Sequence, residues 1–137
     1  MDKESIPQDY QNTVEKLSMK IESDPQNINA YYDRSDFYYS QENYILGIKD
    51  LESILQLAPN NFLAYTLLGY GNGKIGNYEQ AIADYTQAIE LCPNYPKAYF
   101  NRGTIYSKLK QNQQAIADFD LAIQHDPDYL DAYYNRA

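Results

Sequence analysis

The sequence predicts an all-α fold built as a stack of helix pairs, and three observations carry that prediction. Prolines recur every 34 residues, at Pro25, Pro59, Pro93 and Pro127. An Ala-Tyr pair keeps the same interval at Ala30-Tyr31, Ala64-Tyr65, Ala98-Tyr99 and Ala132-Tyr133. Between the prolines, apolar residues return at helical spacing. A period of this length marks units too small to bury their own apolar faces, which gain a shared core only by stacking.

With each proline at position 32 of a 34-residue frame, three full repeats run over 28–61, 62–95 and 96–129. Residues 1–27 hold half of an earlier unit, read as an N-terminal capping helix, and 130–137 begin a further one. All belong to one domain. The first helix of each repeat carries an aromatic at position 4 (Tyr31, Tyr65, Tyr99, Tyr133) and a small residue at position 8 (Ser35, Gly69, Gly103, Ala137). Positions 4, 8 and 11 share one face at the i, i+4, i+7 interval. The second helix repeats the logic, with Gly47, Ala81 and Ala115 at position 20 and Leu51, Tyr85 and Phe119 at position 24. Leu55, Ile89 and Ile123 follow at position 28. Small residues at 8 and 20 let the two backbones approach.

The breaks agree with the helices. Gln41-Glu42-Asn43, Gly76-Asn77 and Gln111-Asn112 are suited to turns between the paired helices. Each proline lacks an amide and disfavours α geometry in the residue before it, so the second helix ends there. Pro96 suits a first helical position.

These columns resemble the tetratricopeptide repeat. The residues that carry the likeness are Tyr99, Arg102-Gly103, Tyr106, Ala115, Phe119, Ala122 and Pro127, and it extends over 28–137. Residues 8–24 match only a second helix, through Tyr10, Val14, Leu17 and Ile21, with Lys20 where the family has Ala. The resemblance implies antiparallel helix pairs wound into a right-handed superhelical solenoid, with a concave groove that holds other proteins.

Composition narrows the function. The 137-residue chain is 44% hydrophobic and 22% charged, the balance of a globular domain, with a formal net charge of −8. Such a field repels phosphate backbones and no run of Lys or Arg overrides it, so nucleic acid is excluded as a partner. No stretch approaches the roughly 18 apolar residues of a membrane span. The single Cys92 cannot form an internal disulfide, which fits a reducing compartment. The reading is a soluble, cytoplasmic protein. Tyr is abundant, at 16 residues against 4 Phe and no Trp, and its polar-tipped ring suits half-buried and partner-binding surfaces.

Positions 2, 5, 6, 9, 12 and 13 of the first helix cluster away from its core face. In the family these line the groove. The candidate groove residues are Tyr32, Asp33, Asp36 and Tyr39 from repeat 1, and Thr66, Tyr70 and Lys74 from repeat 2. Repeat 3 supplies Lys97, Phe100, Asn101, Thr104 and Lys108, and the last segment adds Asp131, Tyr134 and Asn135. Tyr32, Tyr70 and Phe100 offer apolar anchors, and Asn101 offers an amide for a partner's backbone. The acids Asp33 and Asp36 stand at one end and the lysines toward the other. A bound segment is therefore expected to be basic near repeat 1 and acidic near repeat 3. Family members that grip the acidic tails of heat-shock chaperones use Lys, Asn, Asn, Lys and Arg at five set positions. Here those hold Tyr32, Asp36, Leu67, Lys97 and Asn101, and only Lys97 agrees.

Other motifs carry less. Gly71-Asn72-Gly73-Lys74-Ile75-Gly76 is a literal G-x-G-x-x-G, but it lacks the preceding strand that a dinucleotide site needs. Gly71 and Gly73 instead mark the end of a helix that is either a hinge or a tolerant position. Cys92 and His125 fall on neighbouring frame positions, too few to close a zinc site and without a third catalytic group. Arg34, Arg102 and Arg136 share position 7, and Asp50, Asp84 and Asp118 share position 23, which predicts structural ion pairs; Leu68 interrupts the arginine series. No catalysis, cofactor or metal is expected. The chain is read as a non-catalytic scaffold that binds a partner peptide or protein. Two alternatives are self-association through the last, uncapped repeat and service as the recognition domain of a larger enzyme.

Overall fold

The computed structural model describes residues 6–129, so Asp131, Tyr134, Asn135 and Arg136 and the rest of the last segment lie outside it. Among the described residues there are seven helices and no strand: α1 (Gln8–Ser23), α2 (Ile28–Ser40), α3 (Tyr44–Leu57), α4 (Phe62–Lys74), α5 (Tyr78–Leu91), α6 (Pro96–Lys108) and α7 (Asn112–His125). Short connections force neighbours to run antiparallel. The pairs α2–α3, α4–α5 and α6–α7 pack most extensively, α3 then packs on α4 and α5 on α6, and α4 also touches α6 directly. The result is an all-α helical repeat solenoid.

The two kinds of turn repeat along the chain. Asp24, Ala58, Cys92 and Asp126, each before a proline, are extended, with φ between −140° and −148°. In every case the residue three further on donates its amide back to that carbonyl, closing a turn with proline at its second position. Asn27 and Asn61 then cap α2 and α4 by accepting from Asn29 and Ala64 amides, and Pro96 occupies the first turn of α6. Between the helices of a pair, position 15 is left-handed each time: Glu42 at φ 59°, Gly76 at 85° and Lys110 at 60°. The following amide bonds back across the helix end, Asn43 to Tyr38, Asn77 to Asn72 and Gln111 to Tyr106, at 2.8–2.9 Å.

The helix pairs meet through complementary sizes. A Cβ on Gly69 would lie 2.7 Å from the Tyr85 ring, and one on Gly103 would lie 2.9 Å from Phe119. Repeat 1 reverses the trade: Ser35 is larger, Leu51 opposite is smaller, and the Ser35 hydroxyl donates to the Gly47 carbonyl at 3.1 Å. Leu51, Ile54, Ala64, Ala81, Ala88, Ala98 and Ala122 are fully buried along the stack. The first helix, α1, buries none of its residues, and covers α2 through Tyr10 on Phe37 with ring centroids 5.3 Å apart. Its outer side leaves Met19 exposed.

The carboxylates at position 23 are all buried, and their partners differ. Arg34 donates two hydrogen bonds to Asp50 at 2.6 and 2.9 Å and a third to Ser18 on α1. Arg102 does the same with Asp118 at 2.7 and 2.8 Å and with Thr86 on α5. Each arginine thus ties three successive helices. In repeat 2, Leu68 takes the arginine's place, and Asp84 accepts from the Asn72 and Gln80 amides at 2.8 and 2.9 Å. Asn72 stands where repeats 1 and 3 have Tyr38 and Tyr106, so the two exchanges compensate one another.

Burial without a cation raises the Asp84 carboxyl above its usual value, the Gln80 and Asn72 amides pull it partly back, and Glu52 adds to the rise. A carboxyl raised in the folded state holds its proton more readily there than in the unfolded chain. Its contribution is therefore present at low pH and is lost as pH climbs from 3.8 through the raised folded value.

Two stability predictions follow from the turns and this cluster. Glu42→Gly and Lys110→Gly relieve a left-handed residue that carries a Cβ, and each raises stability by roughly 0.5–1 kcal/mol in urea unfolding; a loss would contradict the assignment. Asn72→Ala strips one donor from Asp84 and costs about 1–3 kcal/mol at pH 7. Urea midpoints measured across pH should show that cost narrowing as Asp84 protonates, whereas a cost independent of pH would be inconsistent with a buried charge.

Candidate functional site

The first helices of the pairs, α2, α4 and α6, supply most of the lining of three adjoining clefts. The first is formed by Tyr32, Asp33, Ser35, Asp36, Tyr39 and Leu67. The middle cleft, with a cavity volume of about 460 Å³, shares Asp36, Tyr39 and Leu67 and adds Thr66, Tyr70, Lys97 and Asn101. The third shares Tyr70 and Asn101 and continues to Lys74, Thr104, Ile105 and Lys108. Shared walls make the three one continuous line across the helices.

Tyr39 is the centre of that line. Its hydroxyl donates to the Leu67 carbonyl at 2.7 Å, fixing α2 against α4. The ring lies against Gly47, and any Cβ on Gly71 would collide with its hydroxyl. Gly71 is thus a packing requirement inside α4. At Gly73 a Cβ would meet only the terminal methyl of Ile105, at 2.9 Å, so the contact there is looser. Tyr44 and Tyr70 flank the Tyr39 ring at 5.4 and 6.0 Å. Burial pushes the Tyr39 hydroxyl well above the ordinary tyrosine range, so it stays a proton donor at all physiological pH. The same holds for Tyr85, where the adjoining Asn101 amide pulls weakly the other way.

Most of the residues singled out in the sequence come together on this face. Tyr32, Asp33, Asp36 and Tyr39 line the first cleft, Lys97 the middle one, and Lys74, Thr104 and Lys108 the third, with Tyr70 and Asn101 at the join. Two need correction. Phe100 is 6% exposed and packs on Phe119 and Tyr129 at 5.5 and 5.7 Å, so it is core and not an open anchor. Thr66 borders the middle cleft but is 2% exposed, and its hydroxyl bonds back to the Phe62 carbonyl at 2.8 Å. Both occupy position 5; the last residue of the same repeat, Tyr129, packs on Phe100, and the Tyr32 hydroxyl at this position donates to the corresponding Asn61 at 2.9 Å.

Tyr85, at core position 24, and Ile105, at position 10, also reach the third cleft. The available signal was Gly69 opposite Tyr85 and Gly73 opposite Ile105, two gaps that open the core toward the face. Leu63, exposed on α4, borders none of the three clefts.

Charge on this face is segregated. Asp33 and Asp36 are on α2, while α4 and α6 contain no acidic residue and carry Lys74, Lys97 and Lys108. Among the described residues the only ion pairs are Arg34–Asp50 and Arg102–Asp118, so these three lysines are unpaired there. The Lys74 ammonium lies 5.4 Å over the Tyr70 ring and that of Lys108 lies 5.9 Å over Tyr78.

The remaining motifs fall elsewhere. Gly71 and Gly73 are within α4, and Gly76 is the left-handed turn residue, so the glycine run follows a helix. His125 stacks on Tyr99 at 5.3 Å, and the Cys92 sulfur contacts Asn94 at 3.3 Å. No group of three or more His, Cys, Asp or Glu among the described residues is placed to hold a metal ion. No helix among them is long and apolar enough to cross a membrane.

Comparison with known proteins completes the description. A TPR repeat model matches residues 74–110, and tetratricopeptide-repeat models match 28–61 and 96–129. No curated protein sequence matches the chain. Its fold is similar to a crystal structure of MamA, with a TM-score of 0.82 and 24% identity over 91% of this chain and 73% of that one. MamA from Desulfovibrio magneticus RS-1, residues 41 to the end, gives 0.79 and 23%, covering 87% of this chain and 67% of that one. These likenesses are of fold. Repeat models spread along the helices that carry the 34-residue period establish that the chain belongs to the tetratricopeptide-repeat family.

Proposed function

We propose that this protein is an interaction scaffold that holds an extended peptide segment of a partner protein along the concave face of α2, α4 and α6, without a chemical step of its own. The observation that carries the reading is the row of three adjoining clefts, which share lining residues from Asp33 to Lys108. A row of open clefts crossing helices suits a chain, where a closed pocket would suit a small molecule.

Its chemistry supports the same occupant. Tyr70 is 40% exposed beside half-buried Tyr39 and Tyr44, an apolar shelf held rigid by Gly71 and the Leu67 hydrogen bond. Rigid aromatic shelves lose little entropy when a partner side chain settles on them. Asn101, next to Tyr70, presents both a donor and an acceptor, the pair that a peptide backbone offers in return.

Panning a random-peptide display library on the protein tests this directly. Enriched peptides should bind the Tyr70→Ala/Asn101→Ala variant at least tenfold more weakly, about 1.4 kcal/mol. A Gln87→Ala/Glu90→Ala control on α5 should leave them unaffected. Binding that ignores the first variant and follows the second would place the site elsewhere.

A further inference from the structure

We infer that the segment bound in this groove is zwitterionic, with an acidic side chain seated between Lys74, Lys108 and Asn101 and a basic side chain facing Asp33 and Asp36. This rests on the groove reading above and assigns its partner's chemistry.

The chain as a whole is acidic, with 19 Asp and Glu against 11 Lys and Arg. Among the described residues that excess is absent from α4 and α6. On α4 and α6 there is no carboxylate, and the one arginine, Arg102, is committed to Asp118. Acids are instead on the second helices, where Asp50, Glu52, Glu79, Asp84, Glu90, Asp118 and Asp120 lie. Lys74 and Lys108 close the last turns of α4 and α6 and line one cleft with Asn101 and Tyr70. With Lys97 in the adjoining middle cleft, three ammonium groups border a path without a carboxylate among the residues of α4 and α6. Lys74 and Lys108 border the same cleft without a carboxylate in its lining, an uncompensated positive charge that an incoming carboxylate relieves.

The opposite end has the reverse sign. Asp33 and Asp36 are exposed, border the first cleft, and have no ion-pair partner among the described residues. Arg34, between them in sequence, is bound to Asp50. The groove therefore runs from an acidic end at Asp33 on α2, through a middle cleft that Asp36 and Lys97 both line, to a basic end at Lys108 on α6, two helices away. Helices packed at roughly 8–10 Å set these ends about 16–20 Å apart. An extended chain at roughly 3.3 Å per residue spans that distance in about five or six residues. A polyphosphate is a poorer occupant, because it would have to lie across Asp33 and Asp36 as well.

Capped, amidated fluorescent decapeptides provide the test. Each carries one Arg and one Glu, in both orders and at separations from two to eight residues, in a Tyr/Ser/Gly frame. Anisotropy should show affinity peaking at a separation of five or six, and Glu→Gln in the best peptide should weaken binding about tenfold. The Lys74→Glu/Lys108→Glu protein should lose its preference for Glu and prefer a Glu→Lys peptide. Peptides that depend on Tyr70 but are indifferent to Glu→Gln would overturn the charge assignment and leave the groove reading standing. Failure of every peptide, including those enriched by display, would remove both. Competition by a short deoxythymidine oligonucleotide as effective as the best peptide would show undirected attraction to anions and also overturn it.

Discussion

Close approach of two helices at a glycine or serine is the constraint on which the rest of this structure depends. Gly69 beneath Tyr85 and Gly103 beneath Phe119 leave no room for a methyl group, and Ser35 is admitted only because Leu51 replaces the aromatic ring. With the pairs locked at that distance, small residues such as Ala64, Ala98 and Ala122 can be buried completely along the stack. Each pair then buries its second apolar face only against the next pair, so stability is distributed along the array. The first helices are carried to one side as a consequence. The face that carries the clefts is a by-product of how the core is packed.

Tyr39 couples that core to the face. Its ring uses the space left by Gly47 and Gly71, its hydroxyl holds the Leu67 carbonyl, and its edge supports Tyr70. Gly71, unfavourable inside a helix by about 1 kcal/mol, is thereby explained by a neighbour 32 residues earlier.

The period, the helix pairing and the ion pairs of Arg34 and Arg102 were legible because each depends on residues at fixed offsets within the frame. What escaped the sequence depended on contacts that single columns of the frame do not reveal. Phe100 and Thr66 lie off the core face of their own helix yet are buried, Phe100 against Tyr129 at the far end of its repeat. The partner of Asp84 was hidden because two substitutions, Leu68 and Asn72, had to be read together. The left-handed backbone at Glu42 and Lys110 was masked by side chains that disfavour it, and only Gly76 advertised the geometry. Net charge was the least informative number. Its −8 describes the second helices and conceals the basic stretch of α4 and α6.

Amide chemical-shift mapping of the protein with a bound peptide tests the central claim most directly, since it reports the binding face without presuming its chemistry. The account predicts that the largest shifts fall on α2, α4 and α6, centred on Leu67, Tyr70 and Asn101, with α3, α5 and α7 little changed on their outer sides. Shifts concentrated on the exposed surfaces around Ile45, Glu90 or Ile116 would contradict it.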